Sequence, residues 1–429
     1  MSLNVLLLGS GGREHAMAWS IAKSSKLEKL YIAPGNPGTA EVGTNVDLSL
    51  SDFNAILNFI EEKAIDLTVV GPEQPLVNGI TDFLEEKGHN VFGPSKKAAQ
   101  LEGSKKFANE FMKENGIPTA DFKTYSHSDF DTAFADIKAK DEYPVVLKAD
   151  GLAGGKGVFI CETEEDVQTY LEELKESARF GDAAETLVVE EFMKGDEASV
   201  FVISDSKTAK IIHYAQDHKR VGEGGTGLNT GGMGAYAPTP ILDDQLLQRV
   251  EKEVILPTVS AMLLNENPYK GILYCGLMLT EEGPKVVEYN CRFGDPECQA
   301  ILPSLESDFL ELMMSAVNEE LHQTDVKVDG KYRCCVVLTS EGYPLDYEKG
   351  KEITGVNEIS DEALLFHAGT KMEDGKLLTN GGRVLNIVGA GDTLQEAIKN
   401  TYVEVDKVSF DNKYFRSDIG AKGLIYLNE

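Results

Sequence analysis

The segment that organises this chain is residues 286–297, which read VVEYNCRFGDPE. Two apolar residues open a predicted strand, and side chains two positions apart on a strand share a face. Glu288, Asn290 and Arg292 are therefore expected to point the same way. A carboxylate and an amide oxygen suit Mg²⁺, which proteins hold with one or two groups plus substrate phosphates. An arginine beside them can bind a carboxylate or phosphate through two hydrogen bonds. A surface strand with alternating polar side chains is the alternative.

The composition is that of a globular protein with several domains and no polyanionic partner. The chain has 429 residues, 42% of them hydrophobic and 26% charged, and a net charge of −30. This acidity argues against binding to nucleic acid, which requires clustered lysine and arginine. Neither a membrane-length apolar run nor a signal sequence is visible, so we expect a cytoplasmic protein without a membrane partner. The six cysteines form no CxxC pair, which favours free buried thiols.

Near the N-terminus, strands and helices alternate. Strands are predicted near residues 5–8, 30–32, 67–70 and 91–92, with helices over 51–63 and 76–88. This alternation predicts a parallel sheet that binds ligands at its carboxyl edge. The first strand runs into Gly9-Ser10-Gly11-Gly12-Arg13, but the third glycine of a dinucleotide fingerprint is replaced by Glu14. The turn therefore predicts a cradle for a single phosphate, with a tight turn lacking any ligand as the alternative.

Two further segments indicate nucleotide binding. Residues 143–160 form a predicted strand–glycine loop–strand hairpin in which Lys148 and Lys156 add positive charge. Free backbone amides in such a loop can surround phosphates. Residues 186–200 read as a strand, a short linker and a strand, whose edge can offer adenine a carboxylate and main-chain groups. Hairpins without a ligand are the alternative in both places.

The remaining segments carry weaker signals. Residues 222–234 contain seven glycines among thirteen residues, which is typical of a functional lid. His213 and His218 are interpreted as structural residues and not as metal ligands. Residues 332–429 are predicted to be a last α/β unit with a packing role.

Together these features resemble the ATP-grasp ligases, and five motifs resemble one family among them, the phosphoribosylamine–glycine ligases (GAR synthetases). The motifs, in order and spread over essentially the whole chain, are GSGGREH at 9–15, PGNPG at 34–38, KADGLAGGKGV at 148–158, NTGGMGAY at 229–236 and NCRFGDPE at 290–297.

The resemblance implies an α/β multidomain fold. It predicts a Rossmann-like pre-ATP-grasp domain over residues 1–102 and a two-lobed ATP-grasp domain over 103–325, with a mobile lobe at about 122–192. A small C-terminal α/β domain is predicted over 326–429.

The resemblance also implies a role for each group of site residues. The predicted ATP contacts are Lys105, Lys148, Gly154, Gly155, Lys156, Gly157, Glu190, Glu191, Phe192 and Glu197. The predicted substrate contacts are Gly11, Gly12, Arg13, Asn36, Asp217, Lys219, Gly231 and Gly232. Arg292 is expected to stabilise an acyl phosphate and Asp295 to orient the ammonium group of glycine. Glu288 and Asn290 are the expected ligands of Mg²⁺ or Mn²⁺, although residues 277–279 lack the additional acid that some ATP-grasp relatives carry.

The implied reaction is the ATP-dependent ligation of glycine to 5-phosphoribosylamine through glycyl phosphate. A monomer that binds small molecules is expected. Another ATP-grasp ligase or carboxylase acting on a related ribotide is the alternative within enzymes. A nucleotide sensor without turnover is disfavoured by the metal-type pair and arginine, and an NAD-dependent oxidoreductase is disfavoured by Glu14.

Overall fold

The structure is a computed structural model that describes residues 2–152, 157–176 and 181–427. Within these residues the chain forms three main sheets and two short ribbons. None of the described helices is long and apolar enough to cross a bilayer. All six cysteines are free and buried, as the sequence predicts.

The N-terminal part is the expected parallel sheet with flanking helices. Its strands are β1 (Leu3–Gly9), β2 (Leu27–Pro34), β3 (Thr44–Asn45), β4 (Leu67–Val70) and β5 (Val91–Phe92), and its helices are α1 (Gly12–Ala22), α2 (Thr39–Val42), α3 (Phe53–Lys63), α4 (Glu73–Asn78), α5 (Ile80–Glu85) and α6 (Gln100–Gly103). The helix predicted over 76–88 is two helices, because Gly79 adopts φ +95° between them. The strand order β3-β2-β1-β4-β5 reverses direction between β1 and β4. Ligands of such sheets bind at the carboxyl ends of the strands at this switch point.

A small antiparallel sheet follows, with the order β6-β9-β7-β8. The elements of this part are α7 (Lys105–Glu114), β6 (Phe122–Ser126), α8 (Phe130–Lys140), β7 (Val145–Ala149), β8 (Val158–Cys161), α9 (Glu164–Glu176) and β9 (Thr186–Glu191). The sheet and helices α8 and α9 enclose their own apolar core, which includes Phe130, Leu147 and Leu187. A separate core is what a lobe that moves as a unit needs, and the predicted mobility of residues 122–192 stays a prediction.

A nine-stranded antiparallel sheet joins the second half of the chain into one layer. Its strands and the intervening elements are β10 (Asp196–Asp205), β11 (Ala209–Asp217), β12 (Arg220–Gly222), β13 (Thr226–Asn229), β14 (Gly234–Ala237), α10 (Asp244–Val250), α11 (Leu256–Leu264), β15 (Lys270–Thr280), β16 (Gly283–Asn290), α12 (Glu297–Ile301), α13 (Phe309–Val317), β17 (Tyr332–Ser340), β18 (Leu364–His367), β19 (Thr370–Glu373), β20 (Lys376–Thr379), β21 (Arg383–Gly391), α14 (Leu394–Val405), β22 (Lys413–Tyr414) and α15 (Ala421–Leu427).

The order β16-β15-β10-β11-β14-β17-β21-β18, with β22 beside β17, carries this sheet from the central part of the chain into the C-terminal part. Ribbons β12–β13 and β19–β20 lie outside it. The predicted domain boundary near residue 325 falls between α13 and β17, and the pairing of β14 with β17 makes the sheet continuous across it. The three predicted domain ranges therefore remain a proposal about folding units.

The first and last parts of the chain meet at a buried pair of histidines. The backbone N–H of His367 on β18 donates to Nδ1 of His15 on α1 at 2.8 Å. Burial, with His367 adding to the effect, lowers the pKa of His15 to about 3, and burial lowers the pKa of His367 to about 4. Both rings are consequently neutral wherever the protein is folded near neutral pH.

This pair predicts acid sensitivity. Below pH 6.5 the unfolded chain protonates these histidines and the folded chain does not, so stability falls as the pH drops from 6.5 towards about 4. Each histidine contributes a loss of up to about 1.4 kcal/mol per pH unit. His15→Asn keeps an acceptor near the Nδ1 position but cannot titrate, so its free energy of unfolding is expected to fall less steeply than that of the wild type. Denaturant unfolding at pH 7.5, 6.5, 5.5 and 4.5 measures this slope, with the exposed His322→Asn as the control. Parallel pH profiles for wild type and His15→Asn would contradict the prediction.

Candidate active site

The metal-type pair Glu288 and Asn290 lies at the end of β16, with both side chains on one face of the strand. The register between β15 and β16 shifts so that Gly276 pairs with Glu288 and Leu277 with Val286, which makes Val287 a bulge. Bulges of this kind often lie beside active sites, where they redirect side chains. A Cβ at Gly276 would lie 3.2 Å from Cγ of Glu288, so a glycine there leaves room for the carboxylate.

The charge and donor types of this pair fit a hard divalent cation. Burial alone would raise the pKa of Glu288, but nearby cations, first Lys219 and then Lys148, hold that pKa below its usual range. Among the described residues there is no cluster of three or more histidine, cysteine, aspartate or glutamate side chains that could hold a metal. One carboxylate and one amide oxygen suit Mg²⁺ when phosphates and water supply its remaining ligands.

Two predicted ATP residues form a buried ion pair within the small antiparallel sheet, and one of them also contacts β16. Nζ of Lys148 lies 2.6 Å from Oε2 of Glu190, and their side chains are only 6% and 5% exposed. Lys148 also donates to the carbonyl of Val287 in the bulge at 3.1 Å, and Asn109 donates to Glu190 at 2.8 Å. The pair therefore ties the floor of the small lobe to the strand that carries the metal-type residues.

Lys105 connects helix α7 to the entrance of the glycine loop. Its Nζ donates to the carbonyl of Gly151 at 2.8 Å. Asp150 accepts hydrogen bonds from Oγ of Ser104 and from the backbone N–H of Lys106, at the N-terminus of the same helix. Gly157 accepts a backbone hydrogen bond from Ala149. The predicted phosphate contacts Gly154, Gly155 and Lys156 lie outside the described residues.

The segment between β9 and β10 links two different sheets and is not a hairpin. Glu191 ends β9 and accepts from the backbone N–H of Asp121 at 3.1 Å, and Phe192 follows it in the link. Glu197 begins the long strand β10 and lies 2.9 Å from Nζ of Lys219. The ATP contacts predicted at this link stay predictions.

Lys219 and Asp217 lie beside the metal-type pair. Nζ of Lys219 is 2.9 Å from Glu197 and 4.0 Å from Glu288, and the three side chains keep 32%, 45% and 38% of their surfaces exposed. This exposure leaves the three charged side chains accessible to a ligand. Burial raises the pKa of Asp217 above its usual range, with Lys219 opposing and Glu297 reinforcing the shift.

The glycine-rich segment expected to form a lid loop is ordered as ribbon β12–β13 followed by β14. Gly224, Gly225 and Gly227 have φ values of +66°, +76° and +79°, which allow the tight reversal of the ribbon. Gly231 donates its N–H to Oη of Tyr343 at 2.9 Å. A Cβ at Gly232 would lie 2.4 Å from Pro296, so the segment packs closely against the turn that follows β16.

The predicted phosphate cradle at Gly11, Gly12 and Arg13 is the N-terminus of α1. The N–H of Gly11 donates to Oε2 of Glu14 at 2.7 Å, while Nε of Arg13 donates to Oε1 of Glu14 at 2.6 Å. A Cβ at Gly12 would lie within 2.5 Å of the amides of Gln299 and Asn386, so on that side the turn is covered by protein. The close packing alone requires glycine at position 12, and the phosphate contact stays a prediction.

Asn36 holds parts of the N-terminal sheet and the C-terminal region together. Its Nδ2 donates to the carbonyls of Ser10 and His367, at 2.9 Å each, and its Oδ1 accepts from the N–H of Thr39 at 3.0 Å. Asn36 is buried, with 6% of the residue exposed. Its amide group is therefore engaged within the protein, and the predicted substrate contact of Asn36 stays a prediction.

Arg292 lies at the junction between the N-terminal sheet and the central part. Its Nη2 donates to Oε1 of Glu102 at 2.6 Å, and its Nε donates to Oε2 of Glu73 at 3.1 Å. Glu73 also lies 3.9 Å from Nη2 of Arg13. The carbonyl of Phe293 accepts from both arginines, at 3.0 and 3.1 Å. Two arginines that the sequence assigns to separate ligand groups are thus neighbours.

Asp295 faces the N-terminus of α1. Its Oδ1 accepts from Gln299 at 2.8 Å and its Oδ2 from the backbone N–H of Arg13 at 3.4 Å. Arg383 on β21 lies 3.4 Å from the carboxylate. Burial would raise the pKa of Asp295, but Arg383 and Arg13 hold it below its usual range, so the group is an anion able to meet an ammonium.

Three residues near the predicted site were missed from the sequence. Glu73 follows the Gly-Pro turn after β4. Ligands of parallel sheets bind at the carboxyl ends of the strands, so this position could have indicated Glu73 in the same way as the position after β1 indicates Gly11. Glu102 lies within the short helix α6 and carries no recognisable signal. Arg383 belongs to the C-terminal part, for which the sequence predicts only a packing role. That prediction is incomplete, because the Arg383 side chain contacts both Asp295 and the carbonyl of Gly231.

The chain matches three family models in order. They describe the N domain, the ATP-grasp (A) domain and the C domain of phosphoribosylglycinamide synthetase, over residues 3–102, 103–298 and 333–422. The chain is 44% identical over 430 residues to the phosphoribosylamine–glycine ligase of Rhodopirellula baltica, with 98% of both chains covered.

Solved structures agree with this assignment. The crystal structure of phosphoribosylamine–glycine ligase from Thermotoga maritima superimposes with a TM-score of 0.84 at 35% identity, covering 97% of this chain and 100% of that one. The biotin carboxylase domain of the Hydrogenobacter thermophilus 2-oxoglutarate carboxylase, in complex with MgADP, has a TM-score of 0.74 at 16% identity and covers 100% and 99% of the two chains. That second likeness shows a shared fold. The chain therefore belongs to the phosphoribosylglycinamide synthetase family of ATP-grasp ligases.

Proposed function

We propose that the protein ligates glycine to 5-phospho-D-ribosylamine at the expense of ATP, giving N1-(5-phosphoribosyl)glycinamide, ADP and phosphate in purine biosynthesis. The observation that carries the proposal is the meeting of Arg13 and Arg292 at Glu73 and the Phe293 carbonyl. This contact supports the proposal, because Arg13 belongs to the predicted ribotide cradle and Arg292 to the predicted acyl-phosphate site, and a ligase that joins two substrates requires adjacent sites.

The first step activates glycine. Its carboxylate is a poor electrophile, so one carboxylate oxygen attacks the γ-phosphate of ATP, and the bond to the bridging oxygen of ADP breaks. Glycyl phosphate and ADP result. Catalysis of such a transfer is mainly positioning and the neutralisation of charge. In the proposal Lys105 and Lys148 contact the ATP phosphates, and Arg292 faces the acyl phosphate.

Glu288 and Asn290 are the proposed holders of Mg²⁺ or Mn²⁺. When bound there, the ion would neutralise charge on the transferred phosphoryl group. The ATP contacts predicted at the glycine loop and at Glu190, Glu191, Phe192 and Glu197 complete the nucleotide part of the proposal. Its support is the set of contacts that joins Lys148 and Glu190 to the Val287 carbonyl beside Glu288, and Glu197 to Glu288 through Lys219.

The second step forms the amide. The amino nitrogen of phosphoribosylamine attacks the acyl carbon, loses a proton and expels inorganic phosphate. Asp295, an anion beside the cradle, would orient the ammonium group of glycine. The segment 222–236, which carries Gly231 and Gly232, would shield the acyl phosphate from water. Asp217 and Lys219, at the base of that segment, are proposed substrate contacts.

The decisive assay is ADP release with glycine alone, with phosphoribosylamine alone and with both. Turnover is expected to require both substrates, and the carbon–nitrogen product should form in a one-to-one ratio with ADP. Bicarbonate offered in place of glycine separates the ligase from a carboxylase with the same fold. ADP release that does not depend on glycine, or that proceeds equally well with bicarbonate, would overturn the proposal. Sedimentation velocity tests the separate prediction of a monomer.

A further inference from the structure

The guanidinium of Arg292 is held by the protein on three sides. Its Nε donates to Glu73, its Nη2 to Glu102, and its Nη1 to the carbonyl of Phe293. A guanidinium has five N–H groups, so one on Nη1 and one on Nη2 remain. Neither has an acceptor among the residues that the structure describes. The Arg292 side chain is 18% exposed, which leaves it partly open to a ligand.

Glu102 is bound on both of its oxygens. Oε1 accepts from Arg292 at 2.6 Å, and Oε2 accepts from the backbone N–H of Cys291 at 2.8 Å, with the Cys291 thiol at 3.0 Å. The side chain is 6% exposed. Both of its partners lie on the same turn after β16, so the carboxylate fixes the backbone and the guanidinium relative to each other.

Glu73 holds the other side of the same guanidinium. It is the first residue of α4, directly after the carboxyl end of β4. Burial opposes its ionisation, but Arg292 and Arg13 lower the pKa of Glu73 to about 2. A permanent anion at this point keeps the two arginines together despite their mutual repulsion.

We propose that Glu102 and Glu73 are positioning residues for the ligation, which hold Arg292 so that its two remaining N–H groups meet the carboxylate or acyl phosphate of the substrate. The inference rests on the proposed function. An arginine on its flexible stem could present several edges to an anion, and a displacement of about 1 Å in an active site can cost a hundredfold in rate. Carboxylates on Nε and Nη2 restrict the orientation of the guanidinium and leave one N–H on Nη1 and one on Nη2 for the ligand.

The test compares three variants that leave Arg292 in place. Glu102→Gln has one acceptor oxygen where the structure uses two, so its NH₂ group must face either Arg292 or the N–H of Cys291. We expect kcat/KM for glycine to fall about a hundredfold, with KM for ATP changed less than about threefold. Glu102→Asp keeps two acceptor oxygens, one methylene further from their partners. Its kcat/KM for glycine should be about tenfold higher than that of Glu102→Gln. Glu73→Gln can still accept from Nε of Arg292, and its kcat/KM for glycine should fall about tenfold.

Glu404→Gln is the matched control. Glu404 is likewise buried, with a side chain 8% exposed, and it accepts from Lys407 and from the backbone N–H of Ser360, far from Arg292 in the C-terminal part. Its kcat/KM for glycine should equal that of the wild type. Thermal unfolding midpoints of all variants show whether each is folded under assay conditions.

Each outcome is decisive. A folded Glu102→Gln with unchanged kcat/KM for glycine would overturn the positioning role, as would equal losses for glycine and ATP or no recovery in Glu102→Asp. Should Glu102→Gln not fold, kcat/KM for glycine in Glu102→Asp and Glu73→Gln is compared with the wild type. Unchanged values in both variants would overturn the positioning role. A wild-type enzyme that does not require glycine would instead overturn the proposed function, so the two failures are distinguishable.

Discussion

Replacing Arg292 by lysine is expected to lower turnover about a thousandfold while leaving ATP binding nearly intact. A lysine ammonium is a point charge with three donors, whereas Arg292 contacts Glu73, Glu102 and the Phe293 carbonyl and still offers two N–H groups to a ligand. The shorter ammonium can satisfy one glutamate or the substrate, but it cannot hold all of them. Steady-state ADP release measures the turnover, and equilibrium binding of a nucleotide analogue measures the affinity for ATP.

Arg249→Lys provides the control for this substitution. Arg249 donates to Glu253 from Nε and Nη2 and to the carbonyl of Glu282, at the opposite end of the β15–β16 hairpin. Arg249 therefore makes a similar set of contacts, but it lies away from the predicted active site. Turnover of Arg249→Lys should match the wild type. If Arg292→Lys kept more than about a tenth of wild-type turnover, Arg292 would not be the group that stabilises the acyl phosphate.

Replacing Glu288 by glutamine is expected to lower metal-dependent turnover by about a hundredfold or more and to weaken Mn²⁺ binding. The substitution keeps the size of the side chain and one oxygen but removes the charge that attracts a divalent cation. Lys219, 4.0 Å from Glu288, would retain Glu197 at 2.9 Å as its partner, so the fold should persist. Turnover at a series of Mg²⁺ concentrations and Mn²⁺ titration followed by electron paramagnetic resonance give independent readings.

Glu282→Gln is the companion control, because Glu282 lies in the turn of the same hairpin with 78% of its side chain exposed. It should bind Mn²⁺ and turn over like the wild type. Near-normal turnover and unaltered Mn²⁺ affinity in Glu288→Gln would remove Glu288 from the metal site. A loss of turnover with unaltered Mn²⁺ affinity would assign Glu288 a different role in the reaction.

Local patterns predicted most secondary structure near the site. The apolar run that becomes β1, the alternation in β16 and the helix that becomes α3 are readable because hydrophobic periodicity is a property of neighbouring residues. The linker between β9 and β10 was harder to interpret, since nothing local shows that its two strands enter different sheets. The same limit applies to the glycine segment, where the sequence predicts a loop. In the structure, Arg220 pairs with Asn229 and Gly222 with Thr226, and this pairing makes a ribbon.

The sequence by itself determined the residue types of the site, namely the oxygen donors Glu288 and Asn290, the cationic Lys148 and the arginines Arg13 and Arg292. These follow from motifs of a few residues. Only the tertiary structure decided which of them are neighbours. Arg13 and Arg292 are 279 positions apart and meet through Glu73, and Arg383 reaches Asp295 because the nine-stranded sheet continues into the C-terminal part. Contacts between distant positions depend on the packing of whole elements against each other, which no local pattern in residues 286–297 encodes.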